Sequence, residues 1–163
     1  MIRVLISGSG KMGRTILDAI DAEAGMTVVG VVDKLATPGT LPLPAGAASP
    51  GGGTTPLFDD AARACDEAKP DVVIDFTNAA WTPELTAASL SRGVRPVIGT
   101  TGLSQEYVDA LAAECAERRI GGIVAANFAL GAVLMMHMAR IAAPFFDSAE
   151  IIELHHAQKV DAP

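Results

Sequence analysis

The run Gly8-Ser9-Gly10-Lys11-Met12-Gly13 constrains this chain more than any other feature. The β-branched run Ile2-Arg3-Val4-Leu5-Ile6 leads into it, and apolar residues spaced at Met12, Ile16, Ala19 and Ile20 lead out of it. A strand, a glycine turn and a helix in immediate succession are the context in which G-x-G-x-x-G carries weight. Gly8 permits the tight turn, Gly10 lets a pyrophosphate approach the backbone, and Gly13 lets helix and strand pack closely. Backbone N–H groups at the helix N-terminus would hold the phosphates, with Ser9, Lys11 and Met12 completing the turn. An ordinary glycine turn is the alternative.

The rest of the chain repeats the alternation. Apolar spacing predicts a helix over 11–24 and a strand over 27–32. Residues 34–57, with Pro38, Pro42, Pro44, Pro50 and Pro56 among several glycines, read as a long loop. Helices over 58–67, 82–92 and 104–119, the last capped by Ser104, alternate with strands over 71–75, 96–98 and 122–125. A helix over 130–141, apolar on most sides, is expected to be buried, with His137 packed inside it, and a last strand over 149–155 follows. This order predicts an α/β fold, a doubly wound parallel sheet of the Rossmann-like nucleotide-binding kind. The expected division is a dinucleotide-binding domain over 1–128 and, over 129–163, the beginning of a second, α+β, substrate-binding domain.

Composition narrows the class. Half of the 163 residues are hydrophobic but only 4% are aromatic, which suits helices packed closely on a parallel sheet. With 19 carboxylates against 12 Lys and Arg, a nucleic-acid surface is not expected. No apolar run approaches 18 residues and no basic, then apolar, leader opens the chain, so neither a membrane span nor a signal peptide is expected. Cys65 and Cys115 lack metal or C-x-x-C spacing and read as reduced cysteines of a cytoplasmic protein.

In an open α/β sheet, ligands lie beyond the carboxyl ends of the strands. Asp33 ends the second strand, 20 residues after Gly13, where a carboxylate can accept hydrogen bonds from an adenosine ribose. Lys34 beside it can pair with the 2′-phosphate of NADPH, or can be a solvated loop charge; together they suggest that NADH and NADPH are both tolerated. Asp75-Phe76-Thr77 and Gly99-Thr100-Thr101-Gly102 also follow strands, and their amides and hydroxyls can hold the nicotinamide ribose and carboxamide. The second could equally be a plain turn, and Asp75 could cap Asn78-Ala79 locally.

Residues 150–163 gather two of the three histidines, a lysine and three carboxylates. A hydride acceptor that gains negative charge needs a proton donor and a cation nearby. Histidine donates near neutral pH, and lysine can donate or hold a carboxylate. His155 and His156 point to opposite faces of a strand, so they should differ in task and are poorly placed for one metal ion; no metal is expected. A polar interface segment is the other reading.

The glycine turn with Lys-Met before its last glycine, Asp-Phe-Thr, Gly-Thr-Thr-Gly, Ala-Asn-Phe-Ala-Leu-Gly and Glu-Leu-His-His-x-x-Lys-Val-Asp-Ala-Pro occur in that order. Together they resemble the 4-hydroxy-tetrahydrodipicolinate reductase family of lysine and diaminopimelate biosynthesis. The resemblance implies reduction of a cyclic dicarboxylate by NADH or NADPH. It makes His155 the proton donor, Lys159 its partner and His156 a substrate-carboxylate contact. It places the cofactor on Gly8, Ser9, Gly10, Lys11, Met12, Gly13, Asp33, Lys34, Gly99, Thr100, Thr101, Ala125, Ala126, Asn127 and Phe128; Phe76 and Thr77 join them on their strand-end position. It also implies a homotetramer built through the second domain. The family's glycine turn is often one residue longer than this one. Its pattern continues beyond Ala-Pro with Ser-Gly-Thr, the rest of a substrate domain and a closing helix, so the chain reads as C-terminally truncated. A nicotinamide-binding fragment without catalysis, or another small-molecule dehydrogenase, stays open as an alternative.

Overall fold

The computed structural model describes residues 1–43 and 53–152. Strand β1 (Ile2–Ser7) sets the layering, because its pleat sends Val4 and Ile6 to one face and Leu5 to the other. On the first face, Leu17 and Ile20 of helix α1 (Lys11–Asp21) pack on Val4, Ile6 and, from strand β2 (Met26–Val32), Val28 and Val31. Val28 and Val31 are three apart, yet they share a face because Val29 is an extra residue where the β1–β2 register slips. On the second face, helix α2 (Ala61–Ala68) and helix α3 (Thr82–Leu90) cover Leu5, Val32 and Val73. Small residues of α2, Ala61, Ala64, Cys65 and Ala68, let that helix approach the sheet closely.

The remaining elements are β3 (Gly39–Pro42), β4 (Thr54–Phe58), β5 (Val72–Asp75), β6 (Arg95–Ile98), α4 (Gln105–Arg118) and β7 (Ile123–Val124). Among the described residues the sheet runs β3-β4-β2-β1-β5-β6-β7, and every pairing is parallel except β3 with β4. Chain order therefore reverses at β1: later strands add on both sides of it, and the crevice of a doubly wound sheet opens there. The chain has this fold. Helix α4 closes a third cluster, in which Leu111 meets Leu90 and Ile98. Ser104 caps it as expected, its Oγ accepting from the Tyr107 amide at 3.2 Å.

Three expectations need correction. The loop over 34–57 contains β3 and β4, paired antiparallel in the register Thr40 to Pro56 and Leu41 to Thr55. Proline is compatible because Pro42 lies on the edge strand β3 and Pro56 precedes the part of β4, Leu57 and Phe58, that pairs with β2. Residues 44–52 lie outside the described residues. The expected strand over 149–155 is absent over 149–152, where Ile151 and Ile152 are exposed; the remainder lies outside the described residues. Finally, helix α5 (Leu130–Ala142) has no buried residue and His137 is exposed, so neither the buried helix nor the packed histidine holds. An apolar sequence shows what a helix could bury, not whether a layer is present to cover it.

The chain divides into two compact units, Met1–Ala126 and Asn127–Pro163. The second contains α5 and a 3-10 turn (Ala143–Phe145). Asn127 opens it: its Oδ1 accepts from the Ala129 amide at 2.8 Å, just ahead of α5. Among the described residues no helix is long and apolar enough to cross a membrane.

Helix α1 passes close over the turn before it. A Cβ on Gly13 would lie 1.9 Å from the Gly8 carbonyl oxygen. That obstacle is backbone and cannot rotate away. Gly13→Ala should destabilise the protein by about 1–3 kcal/mol, the usual cost of overpacking, read as a lower urea midpoint at unchanged slope. An unchanged midpoint would show that α1 can slide to make room.

Candidate nucleotide site

Strand register builds the site before any side chain does. Phe58, Val32, Ser7, Asp75, Ile98 and Val124 pair in sequence across six neighbouring strands, forming one row at the carboxyl ends. The residues directly after this row include Asp33, Gly8, Phe76, Gly99 and Ala125, all expected to lie in the site. A cleft of about 570 Å³ opens above the row, lined by Gly8, Gly10, Lys11, Met12, Gly13, Asp33, Lys34, Phe76 and Thr77, with Ser7, Leu35, Asn78, Ala80 and Trp81.

The glycine turn forms its floor. Gly8 has φ +94°, a left-handed conformation that favours glycine, and a Cβ there would sit 2.9 Å from Thr77 Cγ2. Gly10 is different: its φ is an ordinary −74° and a Cβ would meet nothing within 4 Å. It is the N-cap of α1, and no side chain caps that helix end. The first amides of α1 therefore face the cleft without intrahelical partners, the arrangement that receives phosphate oxygens.

Asp33 holds the turn in place. Its Oδ2 accepts from the Ser9 amide at 2.9 Å and the Ser9 hydroxyl at 2.6 Å, and its Oδ1 accepts from the Leu35 amide at 3.1 Å. Partial burial pushes its carboxyl up, but the two Ser9 bonds and the Leu35 bond outweigh it and hold the group below the ordinary carboxylate range. A depressed folded value means that these bonds stabilise fully above the unfolded carboxylate pKa and are lost as pH falls through the lowered one.

Asp75 is fully buried. Hydroxyls of Thr77 at 2.6 Å, Thr82 at 2.6 Å and Thr100 at 3.0 Å donate to its two oxygens. Thr100 Oγ1 in turn accepts from the Thr77 amide at 3.1 Å. One carboxylate thus ties together the loops after β5 and β6 and the start of α3. It does not cap Asn78-Ala79; Asn78 does the local capping, with Oδ1 accepting from the Ala80 and Trp81 amides, both at 3.1 Å. Gly99 is required by packing, for a Cβ there would lie 2.1 Å from the Phe76 ring.

Trp81 also lines the cleft. Its indole Nε1 donates to Ser7 Oγ at 2.9 Å, which fixes the ring against the end of β1. Lys34 Nζ lies 5.3 Å from the centre of that ring and forms an ion pair with Glu84, in the first turn of α3. Sequence reasoning missed Trp81, Asn78 and Glu84. The available signal was the chain's single tryptophan three residues after an Asn at a strand end.

The other expected residues are distributed as follows. Thr101 is exposed. Ala125 donates its amide to the Ile98 carbonyl at 3.0 Å, and Ala126 is exposed. Asn127 and Phe128 belong to the second unit. His155, His156 and Lys159 lie outside the described residues. Cys65 and Cys115 are free thiols.

Comparison with known proteins agrees with this geometry. Residues 2–128 match the family model described as dihydrodipicolinate reductase, N-terminus. The 4-hydroxy-tetrahydrodipicolinate reductase of Geobacillus kaustophilus is 43% identical over 163 residues, covering 99% of this chain and 60% of the relative. That of Dehalococcoides mccartyi strain 195 is 41% identical with the same coverage. A solved structure, dipicolinate-bound dihydrodipicolinate reductase from Paenisporosarcina sp. TG-14, superimposes with a TM-score of 0.79 at 40% identity, covering 100% of this chain and 61% of that one. The chain spans about 60% of the length of these relatives. On this match, centred on the unit that carries the glycine turn and the row of strand ends, the chain belongs to the dihydrodipicolinate reductase family.

Proposed function

We propose that this chain binds NADH or NADPH in the cleft above β1 for the reduction of 4-hydroxy-tetrahydrodipicolinate to tetrahydrodipicolinate, a cytoplasmic step of lysine and diaminopimelate biosynthesis. The observation that carries the reading is the uncapped start of α1 at Gly10, open to the cleft and bordered by the Asp33 carboxylate. A dinucleotide fits that cradle: phosphate oxygens on the first amides of α1, and a ribose hydroxyl on Asp33 Oδ1. When bound, the nicotinamide supplies the hydride. The balance is one hydride from the nucleotide, one proton, and loss of the substrate's 4-hydroxyl as water.

The chain's own groups do the rest. Phe76, Thr77, Gly99, Thr100 and Thr101 border the nicotinamide end, with Thr77 and Thr100 held in place by Asp75. Ala125, Ala126, Asn127 and Phe128 complete the nucleotide contacts as the chain passes into a substrate domain that begins near 129. In that domain His155 supplies the proton, Lys159 assists it, and His156 binds a substrate carboxylate. These roles rest on family membership. So do assembly as a homotetramer through the second domain and the absence of nucleic-acid and membrane partners. The direct test is nucleotide oxidation by the full-length protein, followed by absorbance on addition of fresh substrate; cofactor binding without turnover would leave only a nucleotide-binding module.

Three outcomes are expected in the full-length protein. Gly10→Ala should weaken NADH binding by roughly ten- to a hundredfold, the loss of one or two charge-assisted hydrogen bonds. Its stability should fall by only about 0.5–1 kcal/mol, the difference between a good and a poor N-cap; calorimetric titration and urea unfolding separate the two effects. Asp33→Ala should shift the ratio of NADH to NADPH affinity toward NADPH, because it removes a ribose acceptor that also repels a 2′-phosphate. An unmoved ratio would remove Asp33 from the ribose site. Lys159→Met should keep NADH affinity and lose about 10²- to 10⁴-fold in rate, the usual range for a positioned proton donor; an unchanged rate would take Lys159 out of the mechanism.

A further inference from the structure

We propose that Glu84 is a specificity-determining residue for the nucleotide, acting on Lys34 to disfavour the 2′-phosphate of NADPH. The inference rests on the nucleotide-site reading given above. Asp33 and Lys34 stand side by side at the end of β2, where the adenosine ribose would lie. A 2′-phosphate there adds about 1.5 to 2 negative charges next to the Asp33 carboxylate and needs a cation to offset them. Lys34 is the adjacent cation, but its ammonium is already committed. Glu84 pairs with it from the first turn of α3, and the Trp81 ring lies 5.3 Å beneath it. Trp81 is itself anchored to Ser7 at 2.9 Å, so the clip closes against a fixed wall. Glu84 stands in the first turn of α3, at the helix end that attracts negative charge.

The three side chains Asp33, Lys34 and Glu84 together carry one net negative charge at the ribose corner. That balance is neutral toward the 2′-hydroxyl of NADH, which needs only an acceptor. It opposes the phosphate of NADPH twice, once through the surplus charge and once because Lys34 must leave Glu84 to reach it. Glu84 and Lys34 are each about half exposed, so the effect is a bias that salt can screen, not an exclusion.

The test is calorimetric titration of the full-length protein with NADH and with NADPH, at low salt and at about 1 M salt, where the screening length is about 3 Å. At low salt Glu84→Gln should lower the ratio of the NADPH to the NADH dissociation constant by about two- to tenfold. The gain should shrink at high salt. In a Lys34→Met background the same substitution should move the ratio by clearly less, since only the direct repulsion by Glu84 is removed and there is no ammonium left to release. An unchanged ratio in Glu84→Gln would overturn the proposal. So would a gain of undiminished size without Lys34, which would assign the phosphate contact to another cation such as Lys11 on the same cleft. If the unsubstituted protein binds neither nucleotide, the nucleotide-site reading itself fails and this inference fails with it. Binding of both with no response to Glu84 sinks the inference alone.

Discussion

The parallel pairing of β1 with β2 on one side and β5 on the other is the constraint on which the rest depends. Neighbouring strands lie about 4.8 Å apart, so Val32, Ser7, Asp75 and Ile98, aligned in one row, start four loops within a span of roughly 14 Å. Because chain order reverses at β1, the helices on its two sides cover opposite faces: α1 lies over Val4 and Ile6, α2 and α3 over Leu5. The gap between α1 and α3 is therefore left open above β1. The cleft follows from topology, and the side chains only furnish it.

Two carboxylates then fix the furniture, in different ways. Asp75 is fully buried and is solvated by three threonine hydroxyls in place of water. Hydrogen bonds to a charged group are worth more than neutral ones, so this arrangement offsets a burial that would otherwise be costly. Its effect is to tie the loops after β5 and β6 to each other. Asp33 sits in a wetter place and ties the glycine turn to the end of β2 through Ser9. It was legible from its position after the second strand as a ribose acceptor; its hold on Ser9 was not, because a side-chain contact 24 residues away in sequence leaves no periodic trace.

Legibility tracked locality throughout. The strand–turn–helix unit, the N-cap at Ser104 and the alternation that fixes the doubly wound sheet are all local patterns, and they were readable. Strands β3 and β4 were hidden because Pro42, Pro56 and Gly39 are punctuation in a central strand but tolerable at a sheet margin, and margin position is a tertiary fact. The same limit explains α5. Its Leu and Met content says that it can bury surface on every side, whereas its exposure depends on what lies over it. Trp81 and Glu84 escaped notice since one lines the cleft from the N-cap of α3 and the other pairs with Lys34 from its first turn, and no motif ties that helix to the glycine turn.

An acidic chain proposed to bind a polyanion presents an apparent contradiction, since carboxylates exceed basic residues by seven. The contradiction dissolves once the anion's partners are separated by kind. Backbone amides at the start of α1 need no net positive charge, because the helix dipole and the uncapped N–H groups supply a local field whatever the side chains carry elsewhere. A phosphate held by backbone is thus indifferent to the surrounding acidity beyond a Debye length of about 10 Å. A phosphate that depended on side chains would not be. At the ribose corner Lys34, the cation next to Asp33 in sequence, is paired with Glu84, and the Asp33 carboxylate stands beside it. The two ends of one cleft therefore treat negative charge oppositely: the glycine turn attracts it through the main chain, and the corner after β2 admits it only against the charge already there.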